Sequence, residues 1–239
     1  QTDISAVDGK KRNQVKAAQV MRALSKRVSA PAVIMSKKEE GSEVLKDSAE
    51  NGDLSDCSEN LDAGVTRNTM ADYIEALEKL YVIDDLPAWC PNLRSKTAIR
   101  TTPTRHLVDP ALAAYFLNAS AEDLMFDPRT FGLLFESMVI RDLRAYAQVL
   151  DGAVYHYRDG DGLEADAVMH LQNGRWGAFE VKMGISEVDK AAENLKKLRG
   201  KVDEVQEHPP SFLAVITSGS YAYTRDDGVH VIPLGCLKE

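Results

Sequence analysis

Apolar positions follow helical spacing through the first half of the chain and turn to strand-like alternation in much of the second. In residues 13–28, NQVKAAQVMRALSKRV, the positions Val15, Ala18, Met21 or Arg22, and Leu24 or Ser25 recur at helical spacing, with bases on the other face. That spacing predicts an amphipathic helix, ended by Pro31. Residues 36–62 hold many Ser, Glu, Asp, Asn and Gly and few apolar groups. They bury too little surface to offset ordering entropy, which predicts a mobile acidic loop. A short helix around Val44-Leu45 is the alternative. TRNTMADYIEALEKLYVI predicts a second helix, capped by Thr66 or Asn68, with Met70, Tyr73, Ile74, Leu77 and Leu80 as its apolar stripe. YVIDDLPAW and RHLV read as two short strands around a polar basic loop, and DPALAAYFL as a helix with Asp109 at the N-cap and Pro110 at its first position. Helix, helix, hairpin, helix is the order of a winged helix-turn-helix.

Residues 128–150 predict a long helix with Phe131, Leu134, Phe135, Met138 and Val139 toward a core. GAVYHYRD, EADAVMHL and GAFEVKM follow as three strands broken by Asp-Gly and Asn-Gly turns. SEVDKAAENLKKLRGKV reads as a capped helix, SFLAVITSG as a strand buried on both faces, and GVHVIPL as a closing strand. The order αβββαβ predicts an α/β domain with a mixed sheet, so that the whole chain is α+β. The patterning divides near 118–127, where NASAEDLMFDP loses apolar periodicity. Two domains are therefore expected, 1–120 and 121–239.

With 239 residues, 44% of them hydrophobic, the chain can bury one large core or two modest ones. No apolar run approaches the roughly 18 residues of a membrane span. Gln1-Thr2-Asp3 lacks both an initiator Met and a signal-peptide pattern, which predicts a fragment or a processed product. Cys57, Cys90 and Cys236 form no CxxC and no Cys/His cluster. That argues against a structural zinc site or a disulfide framework and for thiols in a reducing cytoplasm. The net charge of -8 is carried by residues 39–62, where nine acids face one base. Two basic clusters stand apart from it: Lys10, Lys11, Arg12, Lys16, Arg22, Lys26 and Arg27, and then Arg94, Lys96, Arg100 and Arg105. The acidity of the chain thus does not exclude a polyanionic partner.

The candidate chemistry lies in adjacent strands. Glu180 and Lys182 share one strand face, with Val181 pointing the other way. An antiparallel hairpin would bring Asp166 beside Glu180. Two such carboxylates suit a hard divalent cation, Mg²⁺ or Mn²⁺, which polarises a phosphoryl oxygen and activates water. Lys182 would orient that water or stabilise charge on the phosphate. Glu136, on the preceding helix, is a candidate third acid, and Asn194 or Lys197 could reach the same cleft. A cross-strand ion pair explains Glu-x-Lys more simply. However, GAFEVKM is otherwise apolar, and charges in a buried strand must be paired or functional.

Glu136 in a helix, Asp166 in EADAV, and Glu180 with Lys182 in FEVKM together resemble the PD-(D/E)xK, restriction-endonuclease-like phosphodiesterase superfamily. The whole chain resembles the domain of unknown function that follows the ATPase core in prokaryotic AAA-type ATPases. TRNTMADYIEALEKLYVIDDLPAW, PNLRSK, RHLVDPALAAYFL, FGLLFESMVIRDLRAYA and GRWGAFEVKMG carry that resemblance. It implies an upstream ATPase core in the same polypeptide, which would handle ATP, since this chain has no GxxxxGK[ST]. The acidic insertion at 36–62 departs from the family.

Other features are weaker. In the helix 66–80, two bases face three acids, which suits protein packing at least as well as groove readout. Arg94, Lys96, Arg100 and Arg105 are the better phosphate-contact candidates, against a solvated loop. The five histidines show no ligand spacing, and Trp89 and Trp176 read as packing residues. Three functions compete: a Mg²⁺-dependent nuclease guided by the winged helix, a catalytically silent arm docking DNA or protein, and a partner-binding regulator using the acidic loop. Metal at Asp166 and Glu180 would favour the first. A Glu180–Lys182 salt bridge in a closed, dry pocket would favour the second, and an acidic loop docked on the basic clusters the third.

Overall fold

The computed structural model describes Ile4 and residues 8–32, 65–91, 102–203 and 209–238. The expected acidic loop at 36–62 and the candidates Arg94, Lys96 and Arg100 lie outside the described residues. The first half contains α1 (Gln14–Ser25), β1 (Ala30–Pro31), α2 (Arg67–Lys79), β2 (Thr104–Arg105), α3 (Pro110–Leu117) and α4 (Ala121–Phe126). The start of each of these helices is set by a short polar side chain. Asn13 accepts from the Val15 and Lys16 amides, Thr66 from Thr69, and Asp109 from Ala111 ahead of Pro110. One core joins Val20, Met21 and Leu24 of α1 to Tyr73, Ile74 and Leu77 of α2 and to Leu107.

Two features of this half go beyond the sequence reading. Within residues 118–127, where apolar periodicity lapses, Ser120 and Asp123 form a capping box that starts α4. Among the described residues, the segments expected to form the two-stranded wing meet at isolated bridges, Ile83↔Leu107 and Leu86↔Thr104, while the regular ladder pairs β1 with β2. The cause lies at Pro87, which has no amide to donate. Up to Leu86 the segment bonds to residues 104–108; beyond it, Pro87 and Trp89 bond to His156 instead. Residues 82–89 therefore strap the first half to the second.

The second half opens with α5 (Pro128–Val149), followed by β3 (Gly152–Arg158), β4 (Glu164–Leu171), β5 (Trp176–Lys182), α6 (Val188–Asp203), β6 (Phe212–Thr217), β7 (Tyr223–Thr224) and β8 (His230–Pro233). The six strands lie in the order β3-β4-β5-β6-β8-β7. β3, β4 and β5 are antiparallel, β5, β6 and β8 parallel, and β7 antiparallel to β8, so the sheet is mixed and the fold α/β as expected. β7 had no counterpart in the sequence reading. Helix α5 covers one face with Phe135, Val139, Ile140 and Leu143 against Ala167, Phe179, Val181 and Ile216. Helix α6 covers the other with Ala192, Leu195 and Leu198 against Val168, Ala178 and Val215. Buried from both sides, β6 needs an apolar run, and it has one in FLAVIT. Among the described residues, no helix is long and apolar enough to cross a membrane.

Candidate functional site

The register of β4 and β5 runs from His170↔Trp176 to Ala167↔Phe179 and stops there. The next pair would be Asp166 opposite Glu180. Instead, the Asp166 side chain takes over the ladder's role: its Oδ2 accepts the Val181 amide at 2.7 Å. Lys182 Nζ lies 3.5 Å from the same oxygen and 2.9 Å from Glu180 Oε2. The strand alternation read from GAFEVKM is thus present in the structure. Val181 packs under α5, and Glu180 and Lys182 pair with each other. Glu180 is buried, while 28% of the Lys182 side chain stays exposed. The salt bridge expected of a silent arm is present, but its lysine reaches solvent.

Burial pushes the Glu180 carboxyl up to about 8, the Asp166 carboxylate adds to the rise, and Lys182 offsets part of it. Glu136 on α5 is held well above the usual carboxylate range, first by burial and next by Asp166, with Lys182 and a Ser29 hydrogen bond pulling the other way. Burial alone would lower Lys182, but the charges of Asp166 and Glu180 outweigh it and hold the ammonium above its usual range. These mutual influences place Glu136 in the same electrostatic group as the three strand residues. The group contains more acid than its one lysine neutralises.

A cavity of about 270 Å³ opens beside Asp166. One wall comes from the first half, through Ser29, Pro31, Thr102 and Thr104; the other comes from Glu136, His156, Arg158, Glu164 and Asp166. Ser29 gets there in a left-handed conformation (φ 58), with its amide on Arg105 O and its hydroxyl 3.2 Å from Leu133 O. Sequence reasoning passed over Ser29 and Thr104 because only tertiary contact brings them here. His156, read as an ordinary strand residue, is buried and its Nε2 has no partner among the described residues.

Other candidates fall elsewhere. Arg105 is buried, with Nε and Nη2 on the two Asp85 oxygens at 2.8 and 2.6 Å, so it is not a free phosphate contact. Asn194 and Lys197 do not line the cavity. Trp89 stacks on Trp176 with ring centroids 4.8 Å apart, a packing role as expected. Cys236 is an exposed free thiol.

A family model described as Domain of unknown function (DUF8612) matches residues 1–123, and one described as Domain of unknown function (DUF4143) matches residues 131–237. Among solved structures, the chain shows a likeness to a refined half-complex from a tetradecameric assembly of Thermococcus gammatolerans McrB AAA+ hexamers with bound McrC. Identity there is 9% and the TM-score 0.28, over 94% of this chain and 72% of that one. At that score the likeness carries no argument. No curated protein matches the chain.

Proposed function

The chain belongs to the family described as Domain of unknown function (DUF8612), and from that premise we propose that it is a nuclease-like phosphodiesterase module of the PD-(D/E)xK kind. The observation that supports this reading is the meeting of Asp166, Glu180 and Lys182 where the β4–β5 ladder ends, with Asp166 and Glu136 lining the cavity beside them.

A hard divalent cation, Mg²⁺ or Mn²⁺, fits the chemistry of this donor set. Two of its carboxyls are pushed up by burial and by the Asp166 charge, the strain that a bound cation relieves. Among the described residues no group of three or more acids, histidines or cysteines is arranged to hold a metal. Asp166 and Glu180 would therefore be the protein ligands, in keeping with a cation that commonly takes one or two carboxylates and keeps several waters. Such a cation would supply a Lewis acid and an activated water. The remaining work falls to the chain itself. The Lys182 ammonium stabilises charge growing on a phosphoryl oxygen. Glu136, held above the usual carboxylate range by burial and by Asp166, would offer a hydrogen-bond donor to the same group in its protonated form. Val181 N fixes the Asp166 carboxylate in place.

We further read the module as the C-terminal arm of an AAA-type ATPase, with nucleic acid and the upstream core as partners. The support for that is the resemblance carried by TRNTMADYIEALEKLYVIDDLPAW and FGLLFESMVIRDLRAYA. One observation favours a second reading, a docking arm without turnover. Lys182 spans Asp166 and Glu180, and a self-neutralised triad can be purely structural. Calorimetric titration with Mn²⁺ separates the two, run on the wild type and on Asp166→Ala, Glu180→Ala and Lys182→Ala, alongside cleavage of DNA and RNA. The phosphodiesterase reading expects binding by the wild type, loss of binding in both carboxylate variants, and binding without turnover in Lys182→Ala. A wild type that takes up no metal and cleaves nothing would leave the docking arm.

A further inference from the structure

Resting on the phosphodiesterase reading, we propose that the cavity takes one nucleic-acid strand at a time, led in past the C-terminal end of α1. Single-stranded segments and frayed ends, not intact duplex, are then the substrate. The two-sided construction of the cavity supports this. Ser29, Pro31 and Thr104 of the first half line it together with Glu136 and Asp166 of the second. Its volume of about 270 Å³ is small; sites that enclose drug-sized ligands run from roughly 300 to 1,000 Å³. A phosphate with its sugar fits such a space. A duplex does not, since its two backbones flank a major groove about 12 Å wide. Enzymes whose pockets enclose a nucleotide act on single strands or take the nucleotide out of the helix.

The charges of the cavity say where the affinity must come from. Of its acids, Glu164 is paired with Arg158 at 2.9 Å, and Asp166 faces Lys182 at 3.5 Å. The cavity therefore tolerates one phosphodiester without attracting a chain of them. His156 adds an unpartnered, buried Nε2, and burial keeps its imidazole neutral, which suits a sugar or base edge better than a phosphate.

The attraction is supplied by α1. Val15, Arg22 and Lys26 are exposed on one helical face, with the half-buried Gln19 between them, opposite the buried Val20, Met21 and Leu24. Of the basic cluster read in the sequence, Lys10 and Arg12 are committed to Asp8 and Asp72. Arg22, Lys26 and the neighbouring Arg27 have no carboxylate partner among the described residues. Lys26 is three residues from Ser29, no more than about 11 Å of chain. A strand with its phosphate at Asp166 thus carries its next phosphates over Lys26 and Arg22.

The test is fluorescence anisotropy with a labelled single-stranded oligonucleotide and its blunt duplex, in EDTA, across a salt series, on the whole 239-residue chain. The single strand is expected to bind at least about tenfold more tightly than the duplex. Combining Arg22→Glu, Lys26→Glu and Arg27→Glu should weaken single-strand binding at least about tenfold and reduce the salt slope by about 2, at roughly 0.7 per contact. Arg22→Ala with Lys26→Ala should move both quantities less, in the same direction, with an unchanged circular dichroism melt. Duplex binding that equals or exceeds single-strand binding overturns the proposal, as does unchanged affinity and slope in the alanine variant. EDTA separates the two readings. Strand binding that persists in a protein taking up no Mn²⁺ would defeat the phosphodiesterase reading and leave strand docking as the function.

Discussion

Glu180→Gln should stabilise this protein at neutral pH, although it replaces one partner of the 2.9 Å contact with Lys182. The reason is protonation. The Glu180 carboxyl titrates at the usual 4.5 when exposed and at about 8 in the fold, first because it is buried and next because Asp166 is charged. A folded-state value above the unfolded one means that the native protein retains a proton that the unfolded chain releases. Stability from this group is therefore full below 4.5 and is lost as pH rises through about 8. By about pH 7 the loss approaches 3 kcal/mol, at about 1.4 kcal/mol per unit. Glutamine keeps the shape and the neutral amide and does not titrate, so it escapes the loss. After discounting for the missing Lys182 pair, the expected gain near neutral pH is about 2 kcal/mol, or roughly 4–8 °C in a melt for a chain of this size. Below 4.5 no gain remains. Urea melts of both proteins across that range, without divalent metal, measure the difference. Glu180→Gln no more stable at neutral than at acid pH would refute the reasoning, since it would mean that the native carboxyl ionises freely.

Other residues give sharp outcomes of their own. Burial, then the charges of Arg144 and His156, lower His106 from 6.5 to about 3, so stability present above 6.5 is lost as pH falls toward 3. His106→Leu should recover about 2 kcal/mol near pH 5, visible as a flatter acid limb in urea melts; an unchanged limb would place the acid sensitivity elsewhere. Trp89→Ala should cost about 3–5 kcal/mol and speed proteolysis at the strap, because Trp89 packs on Trp176, Tyr157 and His170; equal cleavage rates would show that the strap holds without it. A Cβ at Gly177 would stand 2.5 Å from the Phe212 ring. Gly177→Ala is therefore expected to lower stability by about 1–3 kcal/mol in denaturant melts, and a neutral result would mean that Phe212 swings away freely.

Where local rules govern, the sequence was readable. Asp109-Pro110 started a helix as expected, and FLAVIT was a strand buried on both faces. Alternation in GAFEVKM put Glu180 and Lys182 together. The antiparallel order of EADAVMHL and GAFEVKM brought Asp166 within reach of both. The capping box at Ser120 is also present in the sequence, as Ser-x-x-Asp, within a stretch that lacks apolar periodicity. The course of YVIDDLPAW was not legible, because it is apolar enough for a strand and only tertiary contact shows that it changes partners at Pro87. Arg105 counted as a surface base until the fold set Asp85 against it. Ser29 carries no local signal at all, since its role comes from Leu133, Glu136 and Arg105, each at least 76 positions away.

That last case explains why the site sits where it does. Leu134 of α5 belongs to the core of the first half, while Phe135 on the same turn belongs to the core under the sheet. Glu136 follows at once, so the helix delivers its acid at the seam between the two cores. A boundary before residue 121 separates sequence rhythms, but it cuts away the partners of Leu134 and the wall made by Ser29, Pro31 and Thr104. Residues 121–239 alone would keep Asp166, Glu180 and Lys182 on their strands, yet the cavity beside them would have one side. Glu136 would then lose its Ser29 hydrogen bond and part of the burial that raises its carboxyl. The first half thus shapes the surroundings of one of the candidate acids, and the chemistry proposed for Glu136 depends on residues that contribute no strand to the sheet.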